Sequence, residues 1–107
     1  MNLNNYTIKA QEAIQSAQQI AYSNSNPSIE TEHLLQALLE DKDSTVSFLL
    51  KKNNVNAAFV AAKVMEAMAK LPKVQGAEPG AQIGRDLNTA LLKANSMLAT
   101  FGDEFIS

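Results

Sequence analysis

An all-α helical bundle is the fold class this sequence predicts, and three observations carry it. Apolar residues recur at three-and-four spacing in five separate stretches, the mark of helices with one buried side. No stretch alternates apolar and polar residues as a half-buried strand does, and the β-branched residues are scattered. Capping residues precede the stripes, and proline or glycine follows several of them. The 107 residues, 46% hydrophobic and 19% charged, suffice for one core and are too few for two.

The first helix follows the capping run Asn4-Asn5-Tyr6-Thr7, with Thr7 the best placed to start it. Its stripe is Ala10, Ala13, Ile14, Ala17, Ile20 and Ala21. The alanines allow a neighbouring helix close approach, so this reads as a core helix. Turn residues fill Ser23 to Ser28, and Pro27 prevents a helix from running through. The second helix holds the densest aliphatic run: Leu34, Leu35, Leu38 and Leu39 share one side. Thr31, or Glu30 before it, can cap its first turn, where Glu30 and Glu32 also suit the helix dipole.

Ser44 can cap a short third helix carrying Val46, Leu49 and Leu50, with Lys51 and Lys52 in its last turn. Asn53-Asn54 reads as a turn. Asn56 can cap a fourth helix running to Leu71, with Phe59, Met65, Met68 and Leu71 as its apolar side and Pro72 as its end. The glycines and proline of Lys73 to Gly80 predict an irregular connector. The fifth helix begins near Gly84-Arg85-Asp86 and carries Leu87, Ala90, Leu91, Ala94, Met97, Leu98 and Phe101, with Gly102 as its C-cap.

A shift of 77 residues lays Ala13 on Ala90, Ala17 on Ala94 and Ile29 on Ile106. Residues 1–72 then read as a first helical repeat, 73–82 as a connector, and 83–107 as the start of a second repeat. On that expectation a second Glu-His-Leu-Leu helix belongs after Ser107, and the chain ends inside its second unit. The fifth helix, without that partner, is expected to fold back or to pair with a second copy.

A net charge of −2 and pI near 5.3 offer no footprint for nucleic acid or an anionic membrane. Cysteine is absent, which excludes disulfides and thiolate metal sites. The polar amino terminus resembles no secretory signal, and no apolar run approaches the ~20 residues that span a bilayer. A cytoplasmic setting is expected.

Chemistry is thinly supplied. No Walker A pattern occurs: Gly76, Gly80 and Gly84 are spaced, but no lysine follows correctly. His33 is the sole histidine and reads as structural rather than as a ligand or a base. The serines lack a nucleophile signature. The acid pairs Glu30/Glu32 and Asp103/Glu104 read as solvated helix-start residues. No catalytic, metal or cofactor site can be assembled, so the chain is expected not to be an enzyme.

Four segments carry a resemblance: Met1 to Ala13, Ile29 to Leu39, Leu71 to Gly76 and Gly102 to Ser107. Together, and in order over the whole chain, they resemble the amino-terminal domain of the ClpB-type disaggregases, in the Clp family of AAA+ ATPases. The resemblance implies two helical pseudo-repeats, the second incomplete in this chain, tethered to ATP-hydrolysing modules in a homohexamer. It implies unfolded or aggregated polypeptides as partners, with a co-chaperone or adaptor besides. It also implies that Thr7 and Asp103 lie on a surface contacting substrate or partner, and that Leu91 and Met97 line an apolar groove on the fifth helix. Read from the residues alone, Thr7 is an N-cap, Asp103 a loop acid, and Leu91 and Met97 part of a core stripe. Lys93 stands where that groove is commonly apolar. Two alternatives remain: the adaptor-docking domain of a peptidase-associated Clp unfoldase, and a free-standing helical interaction protein.

Overall fold

The structure is a computed structural model that describes residues 8–42, 44–74 and 82–105, with backbone alone at 45, 95 and 97–105. In chain order it comprises α1 (Ile8–Ser23), β1 (Ser28–Ile29), α2 (Thr31–Glu40), α3 (Thr45–Lys52), α4 (Ala57–Ala69), β2 (Gln82–Ile83) and α5 (Arg85–Phe105). All five expected helices are present. α1 packs on α2 and α2 on α4, while α3 touches the ends of both α2 and α4. The α1 stripe faces inward as its spacing requires: Ile14, Ala17 and Ala21 are buried, and Ala10, Ala13 and Ile20 are half-buried. The core joins Ala17, Ala21, Ile29, Ala37 and Leu87, flanked by Ile20, Leu34, Ile83 and Leu91.

Local chemistry accounts for the helix ends. Ser44 Oγ accepts from the Ser47 amide at 3.1 Å, and Asn56 Oδ1 accepts from the amides of Ala58 and Phe59. Both satisfy amides that have no partner inside the helix. The carbonyl of Glu30 takes the first helical bonds of α2, from the amides of His33 and Leu34, so Glu30 rather than Thr31 is the cap. α1 and α3 both close in a Schellman-type turn. The Asn26 amide reaches back to Ala21 O with Ser25 at φ 57°, and the Val55 amide to Leu50 O with Asn54 at φ 58°.

Four features differ from the sequence expectation. First, two strands exist: β1 and β2 pair in parallel, Ser28 opposite Gln82 and Ile29 opposite Ile83. At two residues each they are too short for alternation to register. Second, α4 turns Val64 and Met68 inward, with Val60, Ala61, Ala67 and Leu71 half-buried. Phe59 and Met65 face outward at 61% and 59% exposure. Of the expected stripe Met68 and Leu71 do face inward, and Val60, Ala61, Val64 and Ala67 take the places given to Phe59 and Met65. In α3 likewise Phe48 and Leu49 are exposed, while Val46 and Leu50 are half-buried. Third, α4 gives way at the Lys70 C-cap, two residues before Pro72. Fourth, Gly102 does not end α5, which continues to Phe105 at a cost of about 1 kcal/mol for an interior glycine. Asp103 and Glu104 therefore lie in a helical last turn and not in a loop or at a helix start.

A polar hub ties the α1–α2 loop to the segment after α4. His33 is fully buried and Asn26 almost so. The Glu30 amide donates to His33 Nδ1 at 2.8 Å, which puts the ring proton on Nε2, donating to Asn26 Oδ1 at 2.8 Å. Asn26 Nδ2 in turn donates to Pro72 O at 2.9 Å. His33 thus stands at the N3 position of α2 and returns a bond to the cap residue, the place usually taken by Glu or Gln. Beside this chain the Val74 amide donates to Ser25 O and Lys73 Nζ to Asn24 O. Every polar atom of the imidazole is satisfied, so its burial costs little as long as it stays neutral.

That condition makes the fold pH-dependent. Burial holds the His33 pKa below the usual 6.5, with the charge of Glu32 working against it. The unfolded chain takes up a proton below about pH 6.5 that the folded chain refuses, so stability falls as pH drops below that value and levels off beneath the folded pKa. Glu30 has the opposite sign. Burial, then Glu32 and Asp86, raise its carboxyl above 4.5, and its contribution is lost as pH rises from there to the raised value. Thermal melts should show a midpoint that falls between about pH 7 and about pH 5.5. A midpoint unchanged across that range would mean that His33 titrates alike in both states.

α5 starts hard against α2. The Gly84 amide donates to Ile29 O at 2.8 Å, and Gly84 O accepts from Asn88. A Cβ on Gly84 would run into the Glu30 carboxylate, so a residue without a side chain is what lets the two helix starts meet. Leu87 is buried and Leu91 half-buried against the core, whereas Ala90, Leu92 and Ala94 are exposed. Among the described side chains, α5 is held by its first two turns.

Candidate binding cleft

The start of α1, the end of α2 and the start of α3 enclose a cleft of about 490 Å³. α1 contributes Lys9, Glu12 and Ser16, which follow one another at helical spacing along its edge, with Ala13 beside them. Ala37, Leu38 and Val46 supply apolar floor, and Asp41 closes the far rim. Two serines fix the wall where α2 hands over to α3. Ser44 Oγ donates to Leu38 O at 2.7 Å, and Ser47 Oγ donates to Asp41 O at 3.0 Å. Lys9 Nζ lies 3.8 Å from Asp41 Oδ2, with both side chains well exposed. Such a pair contributes about 0–1 kcal/mol and yields readily to an incoming group.

The cleft can receive an apolar side chain on its floor while its rim offers one cation and two carboxylates. It carries no evident covalent chemistry: the Ser44 hydroxyl is engaged by the cap and a carbonyl, and no histidine adjoins Ser16 or Ser44. Among the described residues no group of three or more His, Cys, Asp or Glu side chains is placed to hold a metal ion. No helix among them is long and apolar enough to cross a membrane.

Of the four site residues expected from the sequence, Leu91 is described and lies half-buried beside Leu87, against the core. Met97 and Asp103 fall on α5, and their side chains lie outside the described residues. Thr7 lies outside them altogether, two positions before Lys9. The cleft itself was not anticipated. The polar strip Lys9, Glu12, Ser16 was the available signal, but it reads as an ordinary solvated face until α3 is known to stand across from it.

With this geometry in hand, the chain can be set beside known proteins. The family model for the Clp repeat (R) N-terminal domain matches residues 5–107. The chain belongs to this family. Chaperone protein ClpB of Bacteroides thetaiotaomicron is 37% identical over 107 residues, covering 100% of this chain and 12% of that protein. ClpB of Porphyromonas gingivalis is 36% identical over the same length, again with 12% of that protein covered. ClpB 2 of a Nostoc species is 38% identical over 106 residues, 99% of this chain and 12% of that one. The chain therefore spans about an eighth of the length of the curated relatives it matches. Among solved structures, the N-domain of ClpV from Vibrio cholerae superimposes with a TM-score of 0.77 at 20% identity, over 87% of this chain and 54% of that one. At that identity the likeness shows the fold, an all-α Clp N-terminal domain.

Proposed function

We propose that this Clp N-terminal domain is the substrate- or partner-engaging module of an ATP-dependent disaggregase of the ClpB type, and that it captures exposed apolar segments of misfolded proteins. The observation that carries the reading is the alignment of the whole chain with ClpB chaperones at 36–38% identity. The surface assigned to capture runs from the start of α1, with Thr7 and the adjoining cleft, to α5, the helix that carries Leu91, Met97 and Asp103. Supporting this choice, Ala90, Leu92 and Ala94 are exposed on α5 around the half-buried Leu91. Misfolded chains share apolar side chains rather than a sequence, so a shallow apolar face takes them weakly and reversibly, and a flexible methionine adapts to varied shapes. Tethering then raises the concentration of captured segments near the ATP-driven pore of a homohexamer. In this reading ATP binds elsewhere in the full-length cytoplasmic protein, and this domain holds no cofactor.

The two-repeat organisation, residues 1–72 and 83–107 about a connector at 73–82, is part of the proposal. Under the 77-residue shift Ile14, buried on α1, falls on Leu91, half-buried against the core on α5, which supports it. The mixed rim of Lys9, Glu12 and Asp41 favours one second reading, a cleft that docks a folded adaptor.

Binding of the chain to a reduced, unfolded protein and to its native form is the test. The expected result is severalfold preference for the unfolded form, weakened by Met97→Glu with the melting midpoint retained. Equal and negligible binding to both forms would overturn the proposal.

A further inference from the structure

On the side of the molecule formed by the α2 end, α3 and the α4 start lies a second cleft, of about 310 Å³. Leu39, Val55 and Ala57 form its apolar lining, and Lys42 and Lys51 stand at it together with Ser47. The adjoining strip of α3 carries Phe48, 60% exposed, with Lys52 Nζ 5.8 Å from its ring centroid. Leu49 and Val55 add exposed apolar surface at 49% and 42%. Lysines in the last turn of α3 suit its dipole, and that alone explains two of the cations. It does not explain why a phenyl ring, a leucine and a valine stand open beside them.

Charge is unevenly shared between the two clefts. Of the side chains lining this cleft Lys42 and Lys51 are cationic and none is acidic, while Asp41, next to Lys42 in the chain, lines the other cleft beside Lys9. Among the described residues, Lys42, Lys51 and Lys52 enter no ion pair. We infer that this cleft is a docking site for a partner protein's short acidic segment, in which one bulky apolar side chain enters between Leu39, Val55 and Ala57 while flanking carboxylates meet Lys42 and Lys51. The site is separate from the α1–α5 surface and does not depend on the function proposed for it.

Charge complementarity and shape select this occupant. The chain as a whole is anionic, with a net charge of −2, so a long polyanion or an anionic bilayer meets repulsion away from the patch. A segment with two to four carboxylates meets only the local cationic excess. A concave, apolar-lined cleft also accepts a single side chain, whereas insertion into a bilayer calls for an apolar protrusion.

The test uses the 107-residue chain and a fluorescein-labelled decapeptide with one phenylalanine between paired glutamates, read by fluorescence anisotropy. Saturable binding is expected, weakening severalfold as salt rises from about 0.05 M to about 0.3 M. The doubly reversed variant Lys42→Glu/Lys51→Glu should lose about tenfold or more in affinity, as like charges replace complementary ones. Lys63→Glu, on α4 beside Glu66, should leave binding within twofold, and a peptide with lysines in place of the glutamates should not bind. These lysines are solvent-exposed, so the variants are expected to fold as the parent does, with Lys51→Glu costing about 1 kcal/mol or less at the α3 end. No saturable binding of the acidic peptide, or equal binding by the doubly reversed variant, overturns the inference. So does sedimentation of the chain with phosphatidylserine vesicles in the absence of peptide binding, which would assign the patch to a membrane surface.

Discussion

Replacing His33 with alanine should destabilise the domain by about 3 kcal/mol. The change removes a fully buried ring and strands two partners at once. The Glu30 amide loses its acceptor, and Asn26 Oδ1 loses its donor. A buried polar group left unmade costs about 1–3 kcal/mol, and the space vacated by the ring adds to it. For a domain of this size the thermal midpoint should fall by roughly 15 °C. His33→Gln separates the contributions. Glutamine at the third helical position can return a bond to the cap amide as the histidine does, and it should recover part of the loss. If His33→Ala melted within about 2 °C of the parent, the hub would be a packing detail and not a stabilising network.

Leu87→Ala is the second large effect, about 3 kcal/mol, within the range for buried leucine truncation. Leu87 is 2% exposed and, among the described side chains of α5, packs deepest against the core of Ala17, Ala21, Ile29 and Ala37. Because the described side chains of α5 dock through its first two turns, the loss should be spent on that helix first. Hydrogen exchange should show α5 amides opening well before those of α1 and α2. Leu92→Ala, one position beyond Leu91 and 61% exposed, should stay within about 0.5 kcal/mol of the parent. Uniform acceleration of exchange across all five helices would instead mean that α5 and the bundle open as one unit.

Much of this fold was legible in the sequence, and the reasons are local. Ser44 and Asn56 cap where their chemistry says, because a cap is decided within a turn of the chain. The α1 stripe needed only its period. What could not be read depends on distant neighbours. On α4 the spacing places Met68 and Leu71 inward correctly, but it puts Phe59 and Met65 in the core in place of Val60 and Val64, since nothing near them tells which side α2 covers. The β1–β2 pair joins residues far apart in sequence and is too short to leave a pattern. His33 read as structural by elimination, but Asn26 did not declare itself as its partner. That partnership needs the α1–α2 loop to turn through Ser25 at positive φ. Of the candidate site, Leu91 was found with its helix, whereas both clefts arise where three helices meet and leave no contiguous motif.

The pins on the α1–α2 loop also impose an order of assembly. Bringing Ile29 beside Ile83 directly closes a loop of more than fifty residues, at an entropic cost of about 3.5 kcal/mol. Two residues of ladder cannot meet that from a standing start. Once Asn26 holds Pro72 and Ser25 holds Val74, the span still to be closed shrinks to the few residues before Gln82, and the cost falls to about 2 kcal/mol. On loop-closure entropy alone the four-helix part and its pins are expected to form first, with the strand clasp and α5 following. During synthesis the first seventy-four residues are then expected to gain structure as they emerge, and the fifth helix, with Leu87, to complete the core afterwards.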